Sequence, residues 1–414
     1  MRFVLVLSTV LPLSALACTT FVITQDGRTL VGCNEDAWSI NAQVRFEQGR
    51  NGDYGAIYFG HFNGSPLREM TDQMGMNEAG LVFDGLAIQA QSTTTAPGLN
   101  RLHFDELMPL VMRTCATVHE AAALLRTYDQ SWLTRSMLFL ADRNGDYLIV
   151  ESDTMILGKD HSYAVGNWRM STCADPDAIP IPRLQAGRTL LADGIDASIE
   201  QGTAVLESMK ACRSKLGEGT LFSTLFDLER GQAHLFFYHD FREHITFDLK
   251  AELAKGDRTI EMASLFGERP EYDALVTYVT PFHQRWLFWG LLGLAAFAGL
   301  LGLASAATLI RRSIARLRGR AYKPWLPALL AGFICSVVLV LVPVLLWNEG
   351  VFYFGLGDVA GWLRFIPLLL ILLLVTRWLM ERKSHGTGRQ SLIAVTALGL
   401  PFVALLAYWG MLWP

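Results

Sequence analysis

The stretch that decides the fold reads CTTFVITQDGRTLVGCNEDAW and covers residues 18–38. Two short runs of β-forming residues lie on either side of Asp26-Gly27, a dipeptide typical of a tight hairpin turn. The sequence therefore predicts an antiparallel hairpin that begins directly after Cys18.

The seventeen residues before this stretch have the pattern of a secretory signal. They read MRFVLVLSTVLPLSALA, with a charge at Arg2, an apolar core, and small residues at Ala15 and Ala17. The apolar core is shorter than the roughly 20 residues that span a bilayer. We expect cleavage after Ala17, which makes Cys18 the first residue of the mature chain.

A bacterial lipoprotein is the alternative at this cleavage site, since its first residue is also a cysteine, with a lipid on the sulfur. Lipoprotein signals usually carry Leu three residues before the cysteine and a small residue two before it. Here Ala15 and Leu16 stand in the reverse order. The sequence favours ordinary signal cleavage, which leaves the sulfur of Cys18 unmodified.

The region after the signal alternates strand and helix patterns. Its strands and helices predict a layered extracytoplasmic domain over residues 18–280. Strands are predicted at 19–24, 28–33, 56–62, 81–88, 136–141, 147–151, 221–228 and 233–239, with a turn-rich connection at 75–80, and helices at 104–113, from Thr117, at 182–193 and at 197–213.

The last third of the chain predicts a membrane domain over residues 284–414. Four apolar segments, each long enough to span a bilayer, cover about 286–310, 325–347, 359–380 and 392–413. The first and third loops between them are rich in Lys and Arg, whereas the second has neither. The positive-inside rule therefore predicts a multi-pass protein of a bacterial inner or cytoplasmic membrane, with the domain before the spans on the extracytoplasmic, periplasmic side.

A cysteine at the N-terminus carries a nucleophile and a base on one residue. The reference pKa is about 8.5 for a thiol and about 7.7–8.0 for an α-amine. The amine can take the thiol proton and later pass it to a leaving amine. Such a site also needs a group that orients the amine and hydrogen-bond donors for the oxyanion.

The motifs resemble those of a known enzyme family. CTTFVITQDGRTLVGCNEDAW, then YGAIYFG and GMNEAGLVFDGLAI, are similar to the linear amide C–N hydrolases among the N-terminal nucleophile (Ntn) hydrolases. These include choloylglycine hydrolases, penicillin V acylases and isopenicillin-N acyltransferase-like proteins. The resemblance covers roughly residues 18–240 and implies an α+β fold, a four-layer αββα sandwich, followed here by four transmembrane helices.

The resemblance also implies roles for four residues. Cys18 matches the family's nucleophile, and Asp36 matches the acid that hydrogen-bonds the terminal cysteine. Asn167 resembles the asparagine that supports the oxyanion or the substrate carbonyl. In the isopenicillin-N acyltransferase-like branch, Asp84 is a candidate substrate-binding residue.

Two departures from the family pattern narrow the range of expected substrates. Bile-salt hydrolases have Arg where this chain has Cys33, and Asn where it has Ala87, so the resemblance argues against bile salts as substrates. Asn34, Glu35 and Arg183 belong to family-like segments without an assigned catalytic role.

These observations predict a membrane-anchored cysteine hydrolase or acyltransferase that cleaves a small-molecule linear amide through a Cys18 thioester. No cofactor or metal is expected, because the histidines lack metal-ligand spacing. The net charge of −4 and the lack of a basic patch argue against a nucleic-acid partner. A dipeptidase of a related family and a non-catalytic sensor or lipoprotein remain alternatives. The oligomeric state and a Cys173–Cys212 disulfide stay open.

Overall fold

The computed structural model describes residues 18–37, 41–61, 70–91, 93, 95–194, 196–212, 219–319, 325–382 and 386–412. These residues form two compact units, which divide between Thr277 and Tyr278. The predicted signal, residues 1–17, lies outside the described residues.

The described residues of the first unit form fourteen β-strands in two antiparallel sheets. The strands are β1 (Thr19–Gln25), β2 (Arg28–Ala37), β3 (Ala42–Glu47), β4 (Ala56–His61), β5 (Thr71–Asn77), β6 (Val82–Ala87), β7 (Ser136–Ala141), β8 (Tyr147–Val150), β9 (Met155–Gly158), β10 (Ser162–Gly166), β11 (Gly219–Asp227), β12 (Gln232–Phe237), β13 (Asp240–Asp248) and β14 (Arg258–Glu261). The six-stranded sheet has the order β10-β1-β2-β11-β12-β13, and the eight-stranded sheet has the order β14-β3-β4-β5-β6-β7-β8-β9.

Helices cover the outer faces of both sheets. They are α1 (Phe104–Thr114), α2 (Val118–Leu125), α3 (Pro182–Ala192), α4 (Ile199–Ser208), α5 (Leu249–Leu253) and α6 (Pro270–Thr277). Helices α1 and α2 share an apolar core with the eight-stranded sheet, and α3 and α4 lie on the six-stranded one. The inner faces of the sheets meet, for example where the rings of Phe59 and Phe226 pack edge to face with their centroids 5.7 Å apart, typical of aromatic pairs. The predicted four-layer αββα sandwich is confirmed.

The predicted hairpin after Cys18 is also confirmed. Asp26 and Gly27 have φ angles of 51° and 78°, as a type I′ turn requires at both central residues. This two-residue turn pairs Thr19 with Asn34 and Gln25 with Arg28.

The predicted connection at 75–80 is wrong in its first half. Gly75 and Asn77 belong to strand β5, and only the residues after Asn77 turn the chain. A side chain at Gly75 would meet the carbonyl oxygen of Ile57 in β4, so glycine here permits close strand packing. The Asn77 amide donates 2.8 Å hydrogen bonds to the carbonyls of Met112 and Cys115. The glycine and asparagine that suggest a turn in the sequence are therefore needed here by a strand that packs on a helix.

The second unit consists of helices α7 (Arg285–Leu317), α8 (Leu326–Trp347), α9 (Val351–Phe354), α10 (Ile366–Glu381) and α11 (Thr387–Tyr408). Within the described part of the chain, four helical stretches are long and apolar enough to cross a membrane, namely Arg285–Leu317, Leu326–Trp347, Leu363–Glu381 and Gly388–Tyr408. All four expose large apolar side chains, among them Leu303, Phe333, Leu372 and Leu400, as lipid-facing helices do. The four predicted apolar helices are confirmed, although the first continues past residue 310 through the arginines of its loop.

Candidate active site

Cys18 directly precedes β1 and is 6% exposed. The hairpin register places it opposite Glu35, and its Sγ donates a hydrogen bond of 3.1 Å to Glu35 Oε2. Because side chains alternate along a strand, Cys18, Thr20, Cys33 and Glu35 share one side of the hairpin. This side, the inner face, points toward the eight-stranded sheet.

Glu35 connects the candidate nucleophile to a histidine of the opposite sheet. Its second oxygen, Oε1, lies 3.0 Å from Nε2 of His61, the last residue of β4. Both side chains are largely buried, with 6% and 13% exposed. One carboxylate thus contacts a thiol and an imidazole together, and neither Glu35 nor His61 has a role in the family resemblance.

Asp84 reaches the inner face from β6. The Thr20 hydroxyl donates a short hydrogen bond to Asp84 Oδ2, while Oδ1 accepts none within the described part of the chain. Burial raises the pKa of the Asp84 carboxyl well above its usual range, and the nearby Glu35 charge adds to the rise. Asp84 therefore holds its proton more tightly than an exposed aspartic acid.

Asn167 stands at the edge strand next to Cys18. It follows β10, in which Gly166 pairs with Thr19, so the next position lies opposite Cys18. Its Nδ2 donates a hydrogen bond of 2.6 Å to the carbonyl oxygen of Ala87. Its Oδ1 is buried and has no partner among the described residues. The Nδ2 group carries a second hydrogen, and an amide N–H beside a nucleophile has the chemistry of an oxyanion donor, whereas Oδ1 can only accept.

Asp36 lies on the opposite side of the hairpin, which we call the outer face and which also carries Thr19 and Asn34. Its carboxylate accepts hydrogen bonds from Thr220 Oγ1 at 2.6 Å and from Arg183 Nη1 at 2.5 Å. A β-bulge in β11 next to Thr220 sets that contact. The main chain of Asp36 also hydrogen-bonds the sulfur of Cys18.

Asn34 links the outer face to the helix layer. Its Nδ2 donates to Thr19 Oγ1 at 3.2 Å and to the Leu206 carbonyl of α4 at 3.0 Å. Its Oδ1 accepts from Ser223 Oγ of β11 at 2.6 Å. Asn34 thus links three strands and a helix, and its side-chain donor and acceptor atoms stabilise the fold.

The charges around Cys18 disfavour the thiolate. Burial raises the pKa of the Cys18 thiol well above its usual range, and the carboxylates of Glu35, Asp36 and Asp84 raise it further. The Asp36 main-chain hydrogen bond acts in the opposite direction. While residue 17 is still joined to Cys18, the thiol is therefore protonated at neutral pH and is a weak nucleophile.

The structure thus gathers Cys18, Asp36, Asp84 and Asn167 at the start of β1, and adds Glu35, His61 and Arg183. In the described part of the chain, the side chains that are arranged as metal ligands lie outside this cluster. They are Cys212, His239 and Glu271.

The sequence matches no protein-family model and no curated protein. Among solved structures, it is similar to a variant of the conjugated bile acid hydrolase from Clostridium perfringens, with 15% identity, a TM-score of 0.46, and 61% of this chain and 98% of that chain covered. It is also similar to the penicillin V acylase from Agrobacterium tumefaciens, with 17% identity, a TM-score of 0.43, and 59% and 86% covered. Likeness at this level concerns the fold and carries no argument about the site.

Proposed function

We propose that the protein is a membrane-anchored N-terminal-cysteine hydrolase or acyltransferase that cleaves a linear amide C–N bond. The observation that carries this proposal is the position of Cys18. Cys18 directly precedes β1, and its buried thiol donates a hydrogen bond to Glu35. It also directly follows a sequence with the pattern of a cleavable signal.

Removal of residues 1–17 would supply the base that the site needs. Cleavage turns the peptide nitrogen of Cys18 into a free α-amine, whose reference pKa of about 7.7–8.0 lies near neutral pH. The amine takes the proton from the raised-pKa thiol as the sulfur attacks the substrate carbonyl. The protein would therefore stay inactive until its signal is removed.

The reaction then passes through a thioester. The tetrahedral intermediate collapses, the C–N bond breaks, and the leaving nitrogen takes the proton from the Cys18 ammonium. Water, or an acceptor amine in an acyl transfer, attacks the thioester carbonyl and gives up a proton to the α-amine. The carbonyl–sulfur bond breaks and the thiol is restored.

The neighbouring residues suit three supporting roles. The Asp36 carboxylate, held by Arg183 and Thr220, orients the α-amine. The amide of Asn167 donates to the oxyanion. The uncharged form of Asp84, which its raised pKa favours, lines the acyl site without repelling a substrate carbonyl.

The four apolar helices would anchor this unit to a membrane. Because the first and third loops are rich in arginine, the positive-inside rule assigns them to the cytoplasm. The catalytic unit would then lie on the extracytoplasmic side.

Mass spectrometry of the full chain purified from membranes tests the proposal. We expect an unmodified Cys18 with a free α-amine at the N-terminus. Incubation with a panel of linear amides and rapid acid quenching should trap an acyl group on the Cys18 peptide. Cys18→Ala should abolish both trapping and turnover, whereas Cys115→Ala, which removes a buried thiol elsewhere, should leave both intact.

Two results would overturn the proposal. One is a diacylglyceryl group on Cys18, or an active protein that keeps residues before it. The other is full activity of Cys18→Ala on every amide that the wild type cleaves.

A further inference from the structure

Three potential metal ligands meet in the first unit, away from Cys18 in the chain. Cys212 follows α4, His239 lies in the turn between β12 and β13, and Glu271 is in the first turn of α6. His239 Nε2 is 3.5 Å from Cys212 Sγ and 2.8 Å from Glu271 Oε2. We propose that these three side chains bind a zinc ion.

The distances agree with one tetrahedral centre. With Zn–S about 2.3 Å and Zn–N about 2.0 Å, neighbouring sulfur and nitrogen ligands are roughly 3.5 Å apart. The observed separation of Cys212 Sγ and His239 Nε2 has this length. All three ligand atoms lie within 4.8 Å of one another, so a small movement of Glu271 completes the set.

The arrangement differs from that of a catalytic cysteine triad. In such a triad the acid binds the ring nitrogen that faces away from the thiol. Here Cys212 and Glu271 both face Nε2, and Nδ1 is buried without a partner among the described residues. One ring nitrogen can make only one good hydrogen bond, either as donor or as acceptor. An ion shared by the three side chains would satisfy both contacts at once.

The backbone at His239 gives independent support. Phe237 pairs with Asp240, so Tyr238 and His239 form a two-residue turn, with φ angles of 54° and 48°. Such turns strongly favour Asn-Gly, and the bulky Tyr238 is strained at positive φ. Strained residues cluster at functional sites, and here the strain presents an imidazole between Cys212 and Glu271.

The ligand types select the ion. Calcium and magnesium prefer oxygen ligands, whereas thiolate, imidazole and carboxylate together suit zinc. Binding would release the Cys212 proton to solvent and form the S–Zn bond. The thiolate and the carboxylate then neutralise the two charges of the ion. Glu271 has 61% of its side chain exposed, so the fourth position would be open to water.

Cys212 is not engaged in a disulfide. The six cysteines, all within the described ranges, form no disulfide, so the Cys173–Cys212 bridge that the sequence leaves open is not formed. Cys212 faces His239 instead.

Zinc titration of the full, reduced chain in detergent, against a competing chelator, tests the site. We expect one ion per chain, about 100-fold weaker binding in Cys212→Ser and His239→Asn, and about tenfold weaker binding in Glu271→Gln. Asn tolerates positive φ, so His239→Asn removes the ligand without added backbone strain. Cys173→Ser and His103→Asn are controls that remove a thiol and an exposed imidazole elsewhere, and they should bind zinc like the wild type.

Cobalt in place of zinc gives a second measurement. A thiolate-to-cobalt charge-transfer band should appear in the wild type and vanish in Cys212→Ser. The thermal midpoints of the metal-free variants should match that of the wild type, which separates lost binding from misfolding. No bound zinc in the wild type, unchanged affinity in Cys212→Ser and His239→Asn, or a cobalt spectrum without the band would overturn the proposal. Cys18→Ala should bind zinc normally, so this outcome is independent of the proposed catalysis.

Discussion

The two faces of the β1–β2 hairpin carry alternate residues of the same motif, but their side chains make different kinds of interaction. On the inner face, Cys18 and Glu35 meet in a buried site, where burial raises the pKa of the thiol and nearby carboxylates raise it further. On the outer face, Asn34 and Asp36 place their side-chain oxygens in hydrogen bonds to strands and helices.

The difference teaches that Asn34, Glu35 and Asp36, although adjacent in sequence, are not one functional unit. The pleat sends Glu35 toward the thiol and its two neighbours toward the helices. Substitutions on the inner face should therefore change chemistry first, and those on the outer face should change stability first. Asp36 is the test case, since its main chain touches the sulfur while its carboxylate faces Arg183.

The largest stability effect is expected for Asp36→Asn. It removes the negative charge that faces the Arg183 guanidinium, whose side chain is 14% exposed, and the loss of this largely buried ion pair should cost about 3 kcal/mol of unfolding free energy. Adding Arg183→Gln should restore most of this loss in denaturant unfolding. Amide turnover should stay low in the double variant, because the carboxylate that orients the α-amine is still missing. A double variant with wild-type turnover would show that Asp36 acts only through the fold.

The next largest loss of stability is expected for Asn34→Leu. It keeps the size of the side chain but removes three hydrogen bonds and leaves Ser223, Thr19 and the Leu206 carbonyl short of partners, at about 2 kcal/mol. Ser223→Ala removes only one of these bonds and should cost about 1 kcal/mol. Turnover per folded molecule should change little in either variant. A large loss of turnover at unchanged stability would place Asn34 in the catalytic machinery.

Glu35→Gln should weaken the contacts of the inner face and have only a small effect on stability. We expect turnover to fall about 100-fold, the lower end of what a positioned acid–base group contributes, because the carboxylate that accepts the hydrogen bond of the Cys18 thiol is lost. The lost charge also removes one cause of the raised pKa of the Cys18 thiol. In a chain kept uncleaved by Ala17→Tyr, alkylation of Cys18 should therefore require a higher pH than alkylation of an ordinary thiol, and Glu35→Gln should lower that pH.

Quantitative mass spectrometry of the alkylated peptides measures this pH dependence. Cys212, which is exposed, provides an internal reference in zinc-free protein. If the pH of half-maximal labelling of Cys18 equals the ordinary thiol value of about 8.5, or is unchanged by Glu35→Gln, the inner face does not control the thiol as the structure indicates.

Part of this site follows from the sequence alone. A two-residue turn at Asp26-Gly27 sets the register, so the pairing of Cys18 with Glu35 and of Thr20 with Cys33 could be counted from the turn. The family resemblance added Asp36, Asp84 and Asn167, and the structure brings all of them near Cys18.

The rest depends on how sheets and helices pack. His61 reaches Glu35 only because the two sheets face each other, and Arg183 reaches Asp36 only because α3 lies on the outer layer. No local pattern reports such distances. The mistaken connection at Gly75 has the same origin, since the reason for that glycine is the neighbouring Ile57 carbonyl. The meeting of Cys212 with Glu271 is likewise a product of tertiary structure.

The smallest effect is expected at the turn itself. Gly27 has a φ of 78°, and a side chain there would meet nothing within 4 Å, so Gly27→Ala adds backbone strain alone, about 1 kcal/mol. Thermal unfolding should show this loss, and turnover should remain at the wild-type level, because both faces keep their register. Gly231→Ala, at φ 62° and also in open space, is the matched control in the β11–β12 turn. If Gly27→Ala reduces turnover and Gly231→Ala does not, strain at the first turn reaches Cys18, and the register of the hairpin is then part of the catalytic apparatus.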